Sequence, residues 1–146
     1  TVIPLHTVEQ SPASPTVSTV FFYGFNSTGT FATQIRYAGI AGQGAGSSED
    51  GHFFPMTRNC TVTNFTLYIT GKSNMAGDSV TITLQKNGSD TSISKVFIDG
   101  NSADNTVYTV SGSESYSAGD TFSIPVVATS NADGQINFTG SFDIVY

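Results

Sequence analysis

From Ile136 to the last residue the chain alternates without a break. Ile136, Phe138, Gly140, Phe142, Ile144 and Tyr146 fall on one side of an extended strand, and Asn137, Thr139, Ser141, Asp143 and Val145 on the other. A slip of one residue would carry every aromatic ring into water, so the register of such a strand is tightly specified. The same period recurs where Val80, Ile82 and Leu84 alternate with Ser79, Thr81 and Thr83, and again in Phe122, Ile124 and Val126. Twenty Thr and 19 Ser against only 3 Leu supply β-branched and hydroxyl residues while withholding a main helix former, which excludes a helical bundle. A length of 146 residues implies one domain with a core of its own. In VSTVFFYGF (17–25) the aromatics crowd together instead of alternating, the pattern of a strand buried on both faces.

Turn signals separate the apolar runs: Asn87-Gly88, Asp99-Gly100 and Asp133-Gly134 are pairs in which positive φ is cheap. Strands are expected near 16–25, 31–37, 53–58, 61–70, 78–86, 91–98, 106–111, 120–128 and 134–146. That spacing, with no helix between strands, predicts an antiparallel sandwich or barrel. Pro125 cannot donate to a ladder, which predicts an edge position or a bulge for its strand. AGDSVTITL (76–84) and AGDTFSIPV (118–126) repeat one strand entry, in which the aspartate is expected to bond local backbone amides.

Residues 1–15 hold Pro4, Pro12 and Pro15, with Val2, Ile3 and Leu5 near the tip, and read either as an extended arm or as a frayed end preceding a folded domain over 16–146. The segment has no cationic stretch followed by an apolar one, so no secretion signal is expected, and no run approaches the length needed to cross a bilayer. Five Lys plus Arg against 11 Asp plus Glu give a net charge of −6 with no basic run, which makes nucleic acid and anionic membranes poor partners. With charged residues at only 11%, the surface must be built from hydroxyls and amides. Cys60 has no disulfide partner and reads as a small buried hydrophobe at a strand start rather than a reactive thiol.

Candidate sites are sparse. AGIAGQGAGSSEDG (38–51) is Gly-rich, but it lacks the following helix and the Lys that a phosphate-cradling loop needs, and is expected to be a long surface loop. His52, close to Ser47, Ser48, Glu49 and Asp50, makes no triad by sequence proximity alone, and His6 is too isolated to support a zinc site. Asp99, Asn101 and Asp104 offer oxygen ligands in one loop but lack the closing bidentate Glu of a calcium loop; a β-turn with local side-chain bonds is the plainer reading. Exposed Phe or Tyr would suit sugar stacking, although alternation alone does not separate such a platform from core. No catalytic, cofactor or metal constellation is expected, and the chain reads as non-enzymatic.

The order of the Gly-rich loop, HFFPM, TVTNFTLYIT, AGDSVTITLQKNGSDTSI, AGDTFSIPV and INFTGSFDIVY resembles the single jelly-roll domains of tailed-phage surface proteins. More distantly it is similar to the trimeric heads of C1q and tumour-necrosis-factor type, whose closing strand also carries an aromatic-Gly-aromatic pattern like Phe138, Gly140 and Phe142. The resemblance covers about residues 39–146. It implies an antiparallel jelly-roll sandwich of about eight strands, assembled as a homotrimer. It also implies a capsid decoration or cement protein, made in the host cytoplasm and displayed on the capsid exterior, that stabilises the phage head by binding between major capsid subunits. In that setting Val2, Ile3, Pro4 and Leu5 of the arm are the residues expected to grip the major capsid protein. The alternative is the receptor- or glycan-binding head of a tail fibre or spike.

Overall fold

The computed structural model describes residues 14–27, 34–40, 52–73, 79–98, 105–129 and 135–146. The arm residues Val2, Ile3, Pro4 and Leu5, the turns at 99–100 and 133–134, the oxygen-rich loop at 99–104 and most of the Gly-rich stretch lie outside them.

Alternating runs become strands, as their period demands. In chain order these are β1 (Val17–Ser27), β2 (Gln34–Tyr37), β3 (Gly39–Ile40), β4 (Phe54–Pro55), β5 (Cys60–Ser73), β6 (Ser79–Lys86), β7 (Ser89–Ile98), β8 (Val107–Val110), β9 (Glu114–Tyr116), β10 (Thr121–Ser123), β11 (Pro125–Thr129) and β12 (Gln135–Val145). Two antiparallel sheets result. Sheet A runs β3-β1-β12-β5-β8, with β9 also on β5; sheet B runs β2-β11-β6-β10-β4, with β7 also on β6. β2 and β4 both pair the β10–β11 segment and β8 and β9 both pair β5, so that, with the two-residue β3 set apart on the edge of sheet A, the strands group into eight segments. The first then pairs the eighth, the second the seventh, the third the sixth and the fourth the fifth. Nested pairing of this kind is the jelly roll.

The core lies between the sheets. Val80, Ile82 and Leu84 of β6 face Phe138, Phe142 and Ile144 of β12, all buried with Phe122 and Ile124. A chain of rings crosses the gap: Phe22 stacks on Phe65 at 5.3 Å between centroids, and Phe142 meets Phe122 edge-on at 5.3 Å. Each such ring contributes roughly 1.5–3 kcal/mol by leaving water.

β5 shows how the alternation survives an interruption. Cys60 and Val62 face the core on even numbers, whereas Phe65, Leu67 and Ile69 face it on odd ones. The change of parity occurs at Asn64, whose φ of 54° lies in the left-handed region, where the pairing with β12 shifts register between Ser141 and Asp143. Asn tolerates that conformation better than most side chains. Asn87 and Gly88, at φ 50° and 76°, close the β6–β7 hairpin as the Asn-Gly pair predicts.

Three expectations are corrected. β1 is not buried on both faces: Phe22 is 3% exposed but Phe21 is 70% exposed, so its crowded aromatics divide between core and surface. Pro125 is neither on an edge strand nor at a bulge, since β11 has β2 on one side and β6 on the other. It opens β11 where the strand exchanges one neighbour, β4, for another, β2, and a strand's first residue is where a missing N–H does least harm. The Gly-rich stretch does not begin as a loop at residue 38, because Ala38 and Ile40 are buried and β3 pairs with β1.

Candidate functional site

The outer face of sheet A carries the most conspicuous chemistry of the chain. On β1 the odd residues Val17, Thr19, Phe21 and Tyr23 point away from the core because Phe22 points into it. Across the sheet the registers build two outward rows, Phe21–Ser141–Thr66–Thr109 and Tyr23–Thr139–Tyr68–Val107. Val17, Phe21, Tyr23 and Val107 are 55%, 70%, 42% and 60% exposed. They are four of the five exposed large apolar side chains among the described residues; the fifth, Val96, belongs to sheet B. Neither row contains a charged residue, in a chain of net charge −6.

Small residues between large ones leave a hollow. Thr66, Thr139 and Ser141 lie low among Phe21, Tyr23 and Tyr68, enclosing about 500 Å³ above Gly140. The Tyr68 hydroxyl donates to Asn105 Oδ1 at 3.1 Å, which holds one wall in place. At one end of the face Asp143 accepts from Thr19 Oγ1 at 2.7 Å and from Asn64 Nδ2 at 2.8 Å, tying β1, β12 and β5 together. These two bonds favour the ionised form and hold the Asp143 carboxyl below the usual carboxylate range, led by the Asn64 amide. Rows of aromatics and hydroxyls beside an open hollow gather most of the exposed large apolar side chains among the described residues on this one face.

The open end of the sandwich is polar and structural. Lys86 ends β6 and reaches across to sheet A, donating to the Ser115 carbonyl at 2.6 Å and lying 3.8 Å from Glu114 and 3.5 Å from Asp120. Tyr116 donates to the Gln85 carbonyl at 3.1 Å, a second link between sheets. Burial, aided by Glu114, drives the Tyr116 hydroxyl well above its ordinary pKa, and burial raises the Cys60 thiol likewise. Both groups therefore stay protonated at neutral pH, and neither is an activated nucleophile or base. Asp120 accepts from the Asn87 amide and the Ser117 N–H, each at 2.8 Å, bonds that depress its pKa. The second AGD unit thus works as expected, while the first, at 76–78, lies outside the described residues.

Cys60 is buried at the first position of β5, as its sequence context predicts. His52 is also buried and stacks on Tyr37 with centroids 5.9 Å apart, but Ser47, Ser48, Glu49 and Asp50 lie outside the described residues. No group of three or more His, Cys, Asp or Glu is placed to hold a metal ion among the described residues. No described helix is long and apolar enough to cross a membrane. Phe21 and Tyr23 are the residues the sequence reading missed as surface groups. Their alternation with Phe22 and Gly24 was visible, but nothing in it announced that one face would lie open. Compared with known proteins, the chain matches no family model, no curated protein and no solved structure.

Proposed function

We propose that this protein is a non-enzymatic assembly module, a jelly roll that associates with its own copies through the outer face of sheet A. The observation that carries the reading is the concentration of exposed apolar side chains on that single face, whose two central rows carry no charge. An acidic protein pays a repulsive cost wherever its copies meet through charged surface, and these two rows avoid it. Phe21 and Tyr23, the two most exposed aromatics of the face, supply part of the about 800 Å² per partner of a standard interface, and Val17, Val107 and the threonine and serine rows add to it. The hollow beside Tyr68 gives an aromatic of a neighbouring copy a place to insert.

On the resemblance stated above, the assembly is a homotrimer on the exterior of a tailed-phage capsid, where it acts as a decoration protein bound between major capsid subunits. Sedimentation of the full chain tests the assembly: a trimer is expected, and Phe21→Asp should return it to monomer. A wild-type chain that stays monomeric into the high-micromolar range refutes the reading. Cryo-electron microscopy of the particle tests the location, with many copies spread over the shell expected and a few copies at a tail vertex favouring the fibre-head alternative.

A further inference from the structure

The outer face of sheet B holds a second concavity, of about 400 Å³, which the assembly reading leaves unused. Its size lies within the usual range for small-molecule sites. Thr81, Thr83 and Gln85 project outward from β6 because Val80, Ile82 and Leu84 fill the core, and Pro125 and Val127 lie beside them on β11. Tyr37 and Asp90 complete the rim.

The polar groups are set in advance. Gln85 is held at both ends: its Nε2 donates to Asp90 Oδ1 at 2.8 Å and its Oε1 accepts from Ser123 Oγ at 2.9 Å. The hydroxyls of Thr83 and Ser94 bond each other at 2.9 Å. Gln85 keeps a second amide hydrogen, and the carboxylate of Asp90 keeps acceptor capacity toward solvent. Because these side chains are already ordered by one another, a ligand need not bear that ordering cost.

We infer that this concavity is a binding site for a neutral saccharide. The lining offers the Thr81 hydroxyl, the Gln85 amide and the Asp90 carboxylate for sugar hydroxyls, with Val127 as the more accessible apolar contact beside the buried Pro125 and Tyr37. Among the described residues Asp90 is the only charged one lining it, with no Lys or Arg, which disfavours phosphate, sulfate and acidic sugars. The site faces away from sheet A, so occupancy and self-association are independent.

The test is a nitrogen-15 NMR titration of the full chain with glucose, galactose, N-acetylglucosamine and, as an acidic control, N-acetylneuraminic acid. At least one neutral sugar should shift the amides of Thr81, Thr83, Gln85 and Asp90, with Kd on the order of 1–10 mM. Asp90→Ala, at an exposed position, should weaken binding roughly tenfold through a lost charged hydrogen bond and the release of Gln85, with spectral changes confined to the residues around the site. Thr81→Phe, which fills the hollow, should abolish it. The inference is overturned if no neutral sugar shifts these amides at about 100 mM, far above that range. It is equally overturned if only the acidic sugar binds, or if both variants, shown folded by their spectra, bind as the wild type does. Sedimentation of the same samples keeps the result separate from the assembly reading, since sugar binding should leave the oligomeric state unchanged.

Discussion

The ring of Phe22 occupies the space that a side chain at Gly140 would take, and its cross-strand counterpart, Phe138, does the same at Gly24. A Cβ on Gly140 would stand 2.5 Å from Phe22 Cε2 and 2.7 Å from the Thr66 carbonyl oxygen; on Gly24 it would stand 2.6 Å from Phe138 Cζ. Phe22 opposes Gly140 and Gly24 opposes Phe138 in the β1–β12 ladder, so two rings cover two glycines reciprocally. Gly140→Ala must displace backbone as well as a buried ring, and is expected to cost about 2–3 kcal/mol, lowering Tm by roughly 5–10 °C. Gly24→Ala meets only the ring and should cost less. Thermal unfolding of the two variants checks the order, and equal or absent effects would show that β1 and β12 have room to separate.

Phe21→Asp and Val96→Lys distinguish a specific face from general stickiness. Both residues are exposed, but Phe21 lies on the outer face of sheet A and Val96 on β7 of sheet B. Sedimentation should show that the first substitution dissociates the assembly and the second leaves it intact.

Asn64 is expected to tolerate Gly and resist Val. Its φ of 54° is poorly accessible to a β-branched side chain, so Asn64→Val should cost about 1–3 kcal/mol, measured by urea unfolding. Asn64→Gly loses the bond to Asp143 while easing the backbone, and should cost less.

Acid should destabilise the fold through Asp143 and Asp120. Both carboxyls have pKa values lowered in the folded state, by the Asn64 and Thr19 bonds and by the Asn87 and Ser117 bonds respectively. The folded state therefore binds these protons less readily than the unfolded chain. Their stabilisation is complete above the unfolded carboxylate range, near pH 4, and is lost as pH falls through the lower folded values. Urea midpoints should fall from pH 5 to pH 2.5, and Asp143→Asn should make that fall shallower. A midpoint independent of pH across this window would contradict the assignment.

Removing residues 1–10 should separate attachment from folding. Among the described residues the chain is tied to the sandwich from Thr16, whose carbonyl accepts from the Tyr146 N–H at 2.9 Å, just before β1 begins. Pro4, Pro12 and Pro15 disfavour a helix upstream, and Val2, Ile3 and Leu5 supply apolar contacts worth a few kcal/mol on a partner. The truncated chain is expected to fold and associate normally but to bind undecorated capsid shells poorly. Undiminished decoration would exclude the arm as the docking element, and loss of folding would make it a hidden part of the domain.

Where alternation was clean, sequence and structure agree closely. Val80, Ile82, Leu84, Phe122, Ile124, Phe138, Phe142 and Ile144 are all buried between the sheets, and the Asn87-Gly88 turn lies at its expected place. The short strand β9 carried too few residues for periodicity to register, and the parity change at Asn64 required a bulge that only a partner strand can define. Pro125 was misplaced because its tolerance depends on which neighbours stop and start beside it, a property of the sheet and not of the residue.

The candidate sites divide on the same line. By itself the sequence determined that the chain is all β, which residues share a side of each strand, and that cations are scarce, because these follow from local sterics, a period of two and composition. Only the tertiary structure decided that Phe21 and Tyr23 lie on an open face beside Tyr68, and that Gln85 meets Asp90 and Ser123 around one hollow. Alternation says that a strand has two sides. Which side is covered depends on the layer packed against it, and the pairing of distant segments sets that layer.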